Sequence, residues 1–158
     1  MSTYSATASN VTVNSTANDL ISITPAANVL IQVIEFTVAG MGTASSASQI
    51  NLYAVTTVGA TGSGALNIAN FNPYAPAAGS TAFSGWTTQP VVGFILVPLA
   101  VNANGGIYRW VARPGEEITA INAATTGGGA VNKAVSIRAS VQNGASYTVS
   151  VVWNESPL

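Results

Sequence analysis

Nine charged side chains are all that this chain offers for acid–base or ionic chemistry: Arg109, Arg113, Lys133, Arg138, Asp19, Glu35, Glu116, Glu117 and Glu155. There is no histidine and no cysteine. The commonest general base, the commonest neutral metal ligand, disulfides and thiolate metal sites are therefore absent. Two carboxylates held about 5 Å apart across a cleft would still serve a retaining glycosidase. Glu116 and Glu117 are adjacent, so in a strand they would point to opposite faces, and Asp19, Glu35 and Glu155 are scattered. A calcium site built from carbonyls with Asp19 or Glu155 has no supporting ligand spacing. The glycines of TTGGGA, residues 125–130, lack the following Lys-Ser/Thr pair and helix of a phosphate-binding loop. The expectation is a protein that is not an enzyme, with no cofactor and no metal.

The elements that would position these groups are strands. Ile107–Ile118, IYRWVARPGEEI, holds four of the nine charges and one of three tryptophans. Ile107, Arg109 and Val111 alternate with Tyr108, Trp110 and Ala112, as in a half-buried strand. Arg113-Pro114-Gly115-Glu116 has the chemistry of a type II turn, with Pro114 and Gly115 as its structural residues. A return strand over Glu116–Ile121 would make a hairpin. Its charges either pair across the open end or, with Arg109 beside Trp110, form a contact at a subunit boundary.

Composition narrows the class. In 158 residues, 48% are hydrophobic and 6% charged, with a net charge of -1. One domain with a sizeable core is expected, and no electrostatic footprint for nucleic acid is present. So few charges repel neighbouring copies weakly, which suits dense packing against other protein. Residues 91–101, VVGFILVPLAV, form the longest apolar run. It is too short for a membrane helix and is interrupted by Gly93 and Pro98, so a buried, bent strand is expected and no membrane partner. The first residues show no signal-peptide pattern, so the expectation is synthesis in a cytoplasm, with the chain staying there or leaving by cell lysis.

In chain order, residues 1–18 are polar and weakly periodic. They are expected to be a flexible N-terminal arm, either a frayed terminus or a segment that orders on a partner. Residues 19–158 form the single folded domain. Leu20–Thr24, Val29–Ala39 and Gln49–Val58 read as strands, the second apolar on both faces and so central. Gly59–Pro90 is a long irregular segment carrying Phe71, Tyr74, Phe83 and Trp86. Those aromatics pack either on the domain's own sheet or on a neighbouring subunit. Val91–Val101, Val131–Val141 and Ser146–Glu155 complete the strands, the last two joined at Asn143-Gly144, a hairpin signal. Tyr147, Val149, Val151 and Trp153 share one face. Seven to nine strands and no helix predict an all-β antiparallel β-sandwich or jelly roll.

With these elements in order, the C-terminal two-thirds resembles the jelly-roll head decoration (cement) proteins of tailed bacteriophages. The residues that carry the resemblance are LYAVTT at Leu52, the Pro- and Ala-rich Asn72–Pro76, YRWVARPGE at Tyr108–Glu116, and the closing VVWNE at Val151–Glu155. Asn72 stands near where the family pattern often carries an Asp, and the first 40 residues match only in character. The resemblance implies a homotrimer on the outer face of a phage head, bound to the major capsid protein and stabilising the shell. Its expected site residues are Ser2, Thr3 and Tyr4 as capsid contacts, and Tyr74, Phe83, Trp86, Arg109 and Trp110 as subunit contacts. The second expectation is a carbohydrate- or receptor-binding virion module, with Tyr74 and Trp86 as its stacking platform.

Overall fold

A computed structural model describes residues 1–14, 19–58, 64–86, 88–122, 132–140 and 143–158. The TTGGGA loop lies outside them. Among the described residues the chain is all-β, with no helix. The strands are β1 (Ser2–Thr12), β2 (Asp19–Thr24), β3 (Val29–Met41), β4 (Ala47–Thr57), β5 (Gly64–Ala65), β6 (Ile68–Asn70), β7 (Thr81–Ser84), β8 (Val91–Asn102), β9 (Asn104–Val111), β10 (Ile118–Ile121), β11 (Ala134–Ala139) and β12 (Ser146–Pro157).

They form two antiparallel sheets. One runs β10-β3-β12-β1-β6, with β9 also on β3; the other runs β5-β7-β2-β11-β4-β8. The pairings are nested. β4 meets β8, β3 meets β9 and β10, β2 meets β11, and β1 meets β12. This is a long antiparallel ribbon rolled on itself, the order of a jelly roll. Between the sheets lie Trp153, Tyr4, Tyr147, Phe36, Leu20, Ile21, Ile23, Ile50 and Leu52. Each such side chain contributes about 1.5–3 kcal/mol by leaving water.

The first twelve residues correct the expectation of a flexible arm over 1–18. β1 is hydrogen-bonded to β12 on one side and β6 on the other. Its inward face is Tyr4, Ala6 and Ala8, all buried. Two of those three are alanine, so the alternation is faint in the sequence. On the outer face, Thr3 Oγ1 donates to Asn154 Oδ1 at 2.7 Å, Thr7 Oγ1 to Ser150 Oγ at 3.1 Å, and Thr12 and Ser146 share a hydroxyl bond of 2.8 Å. Polar residues that looked solvated are a cross-strand ladder. The sandwich therefore begins at Ser2 rather than at residue 19.

β3 is central, as expected, but its two apolar faces have a specific cause. Glu35 faces Val152 while Val33 faces Trp153, so Ile34 is an extra residue, a bulge. The inward set switches there from Ile31 and Val33 to Phe36 and Val38. β9 meets β3 above the bulge and β10 meets it below. The predicted hairpin is thus absent: β9 and β10 lie in line along one edge of β3, and residues 112–117 loop out between them. The turn itself is as predicted, with Gly115 at φ 84° and Glu116 N–H donating to Arg113 O at 2.9 Å. Asn143-Gly144 is no hairpin either. It turns a corner from β11 in one sheet to β12 in the other.

The corner between β8 and β9 presses on β3 at Gly40. A Cβ there would stand 2.2 Å from Asn102 O and 2.5 Å from Ala103 O, both main chain. Gly40→Ala should therefore cost about 1–3 kcal/mol through overpacking. Gly42→Ala meets its nearest atom at 3.3 Å and should cost visibly less. Urea midpoints of the two variants check this, and equal midpoints would refute the close-approach account.

Candidate functional site

The five carboxylates do not converge. Asp19 opens β2 and is buried. Arg138 on β11 donates its Nε–H to Asp19 Oδ1 at 2.9 Å, and the Ser22 and Ser136 hydroxyls donate to the same carboxylate. Burial pushes the Asp19 carboxyl up, against the opposing pull of Arg138, Ser136 and Ser22. Arg138 also donates to Pro90 O at 2.8 Å, tying the start of β8 to β11.

Glu35 lies on β3, where Arg109 of β9 grips it with two bonds of 2.7 Å. Of the two alternatives for the 107–118 charges, pairing across the hairpin end does not hold for Arg109, because the pairing of β9 with β3 presents it to Glu35. Arg109 holds the Glu35 carboxyl below the usual carboxylate range. Glu117 Oε1 accepts the Gly115 N–H at 3.1 Å. Among the described residues no three of Asp, Glu, His or Cys gather as metal ligands.

Glu155 is the carboxylate the sequence left without a place. It sits near the end of β12, only 8% exposed. Its Oε2 accepts Gly79 N–H at 2.8 Å, and its Oε1 accepts Ser80 N–H at 3.1 Å and Trp153 Nε1–H at 2.9 Å. It thereby latches the segment that follows the Pro-rich loop to the last strand. The spacing of Trp153 and Glu155 on one strand face was the available signal.

The expected contact residues divide sharply. Tyr4 points into the core, 2% exposed, and its hydroxyl donates to Pro76 O at 2.9 Å. Its ring is therefore packed within the sandwich, while Ser2 and Thr3 are half-buried in β1. Trp86 is 4% exposed and packs its ring on half-buried Phe83 at 5.3 Å. Trp110 stacks on Phe36 at 5.3 Å. Trp86 follows the own-sheet alternative and offers no exposed ring face as a sugar platform, whereas Trp110 remains half-buried on β9. Tyr74 and Arg109 stand clear of the core, Tyr74 95% exposed on a turn closed by Ala75 N–H to Asn72 O at 2.9 Å, with Asn72 Oδ1 capping Tyr74 N–H at 3.0 Å. Asn72 is thus the local organiser of that loop.

The two sides of the sandwich differ. On one side the edges are the short strands β5 and β6 of the 64–70 segment. On the other, β8 and the β9–β10 line are long edges with no further strand beyond them among the described residues. These bear Val91, Phe94 and Ile95 on β8, and Ile107 and Val111 on β9, all exposed. The alternation of β9 is as expected from its sequence. The exposure of β8 corrects the reading of residues 91–101 as a buried strand: only Leu99 and Val101 are buried there.

No family model, curated protein or solved structure matches the chain. No described helix is long and apolar enough to cross a membrane.

Proposed function

We propose that the chain is a structural virion protein, a decoration protein that binds the outer surface of a phage head as a homotrimer and stabilises the shell. The observation that carries this reading is the open β8–β9 side. Long apolar edge strands invite pairing with other chains, and proteins ordinarily shorten, charge or cover them. Here the ionic content of the β9 edge is one pair, Arg109 with Glu35. A neighbouring copy would cover Phe94, Ile95, Ile107 and Val111, and three head-to-tail copies would close the ring. Linking three shell contacts in one particle raises avidity without strengthening any single contact. Binding only the assembled shell then stabilises it by mass action.

Light scattering on the purified protein tests the first step. A mass of three chains of 15.9 kDa is expected. Phe94→Asp with Ile95→Asp should return a monomer whose circular dichroism is unchanged, because both residues are exposed. That monomer should also fail to co-sediment with empty heads. A monomeric wild type at high concentration would sink the proposal. A glycan module is the weaker reading, since Tyr74 would have to act without Trp86.

A further inference from the structure

We propose that the cavity beside Glu155 is a binding site for an alkyl cation, the ammonium of a lysine or the guanidinium of an arginine presented by a partner protein. This inference does not depend on the partner being a phage shell. The cavity measures about 340 Å³ and is walled by Tyr4, Val29, Pro76, Ala77 and Pro157, with Glu155 among its lining residues.

Three observations combine. First, the buried Glu155 carboxylate makes no ion pair among the described residues, although Met1, the chain's own amino terminus, is among the residues lining the cavity. Arg109 and Arg138 are committed to Glu35 and Asp19, and neither ion pair of the described residues includes Glu155. Secondly, its acceptor capacity is not exhausted. A carboxylate offers about four lone-pair sites, and the three N–H donors occupy one on Oε2 and two on Oε1. Oε2 therefore retains a site. Thirdly, the walls are mostly apolar, which suits the methylene stem of Lys or Arg while the head group meets the carboxylate. In so sheltered a setting the charge–charge attraction is screened far less than at an open surface.

The test uses the whole protein and follows the amide signals of Gly79 and Ser80 and the indole N–H of Trp153 by NMR. Titration with n-butylammonium should move these three signals together and saturably. n-Butanol, of equal length and no charge, should not. The capped peptide acetyl-Ala-Lys-Ala-amide should act as n-butylammonium does; if only the free amine binds, the assignment to a partner's side chain is overturned. Glu155→Gln should weaken binding by about tenfold or more, the scale of a charge-assisted bond. Should that variant fail to fold, Gly79→Ala serves instead. Its added methyl would stand 3.4 Å from Glu155 Oε2 and 3.1 Å from Val29 Cγ2, crowding the free acceptor site. Equal shifts with n-butanol, undiminished binding in the variant, or no saturable shift would each overturn the proposal.

Discussion

Arg138→Met should destabilise the protein by about 3–5 kcal/mol at neutral pH, the usual consequence of stripping one partner from a buried ion pair. The Arg138 side chain is only 13% exposed and Asp19 is fully enclosed. Without the guanidinium, Asp19 retains the Ser22 and Ser136 hydroxyls but no positive charge. The Pro90 carbonyl loses its donor as well. The effect should depend on pH in a defined direction. Burial already raises the Asp19 carboxyl, and removing Arg138 raises it further. The folded state then holds a proton that the unfolded state releases at about pH 4. Stability is fully present below that pH and is lost as pH rises through the folded value. Urea melts at acid and neutral pH should thus show a smaller deficit at the acid end. The double variant Asp19→Leu, Arg138→Met should recover much of the loss, because an apolar pair needs no desolvation of charge. A double variant as unstable as the single would show that packing, not an orphaned charge, governs the site.

Trp153→Ala should cost about 3–5 kcal/mol, the range for deleting a large buried ring. Trp153 is fully buried at the centre of the first sheet, with its ring 6.2 Å from that of Tyr4. It also supplies one of the three donors that hold Glu155. Trp153→Phe separates the two roles. It keeps most of the volume and removes the indole N–H, so it should cost about 1–3 kcal/mol, the penalty for an under-satisfied buried group. It should also loosen the Gly79–Ser80 latch, visible as faster amide exchange there. A Phe variant as stable as wild type would show that the indole bond to Glu155 adds nothing. An Ala variant within about 0.5 kcal/mol of wild type, as for an exposed residue, would contradict its place in the core.

Much of the sandwich was legible because its strands alternate large against polar. Tyr147, Val149, Val151 and Trp153 proclaim an inward face, and all four are buried. β1 was obscure because Ala6 and Ala8 carry the inward face with too little side chain to register. The bulge at Ile34 was obscure because it is a property of pairing with β12, not of β3 alone. Turn chemistry was legible at Pro114-Gly115, where φ is local. What the turn joins was not, because β9 and β10 are aligned by β3, whose paired residues lie 63 (Met41 to Asn104) to 91 (Leu30 to Ile121) positions earlier. Trp86 and Tyr74 are equally aromatic on paper; only the fold buries one and lifts the other into solvent. Glu155 was the largest omission. Its donors, Gly79 and Ser80, are main-chain groups of small residues that no side-chain motif could announce.

The nested ribbon also sets when the chain can fold. Thr3 and Asn154, bonded to each other, are 151 residues apart, and β1 and β3 both need β12 between them. Until β12 has been synthesised, the first sheet lacks its middle strand, and β1 and β3 have no shared partner to hold Tyr4, Phe36 and Val38 on one face. Loop closure across such separations is slow relative to local pairing. An emerging chain would therefore carry two long unpaired edges, those of β1 and β3, until β12 arrives. Its meagre charge gives them little electrostatic protection from neighbouring nascent chains. β12 therefore acts as a timing element: the first sheet cannot be completed before this twelve-residue strand has been made.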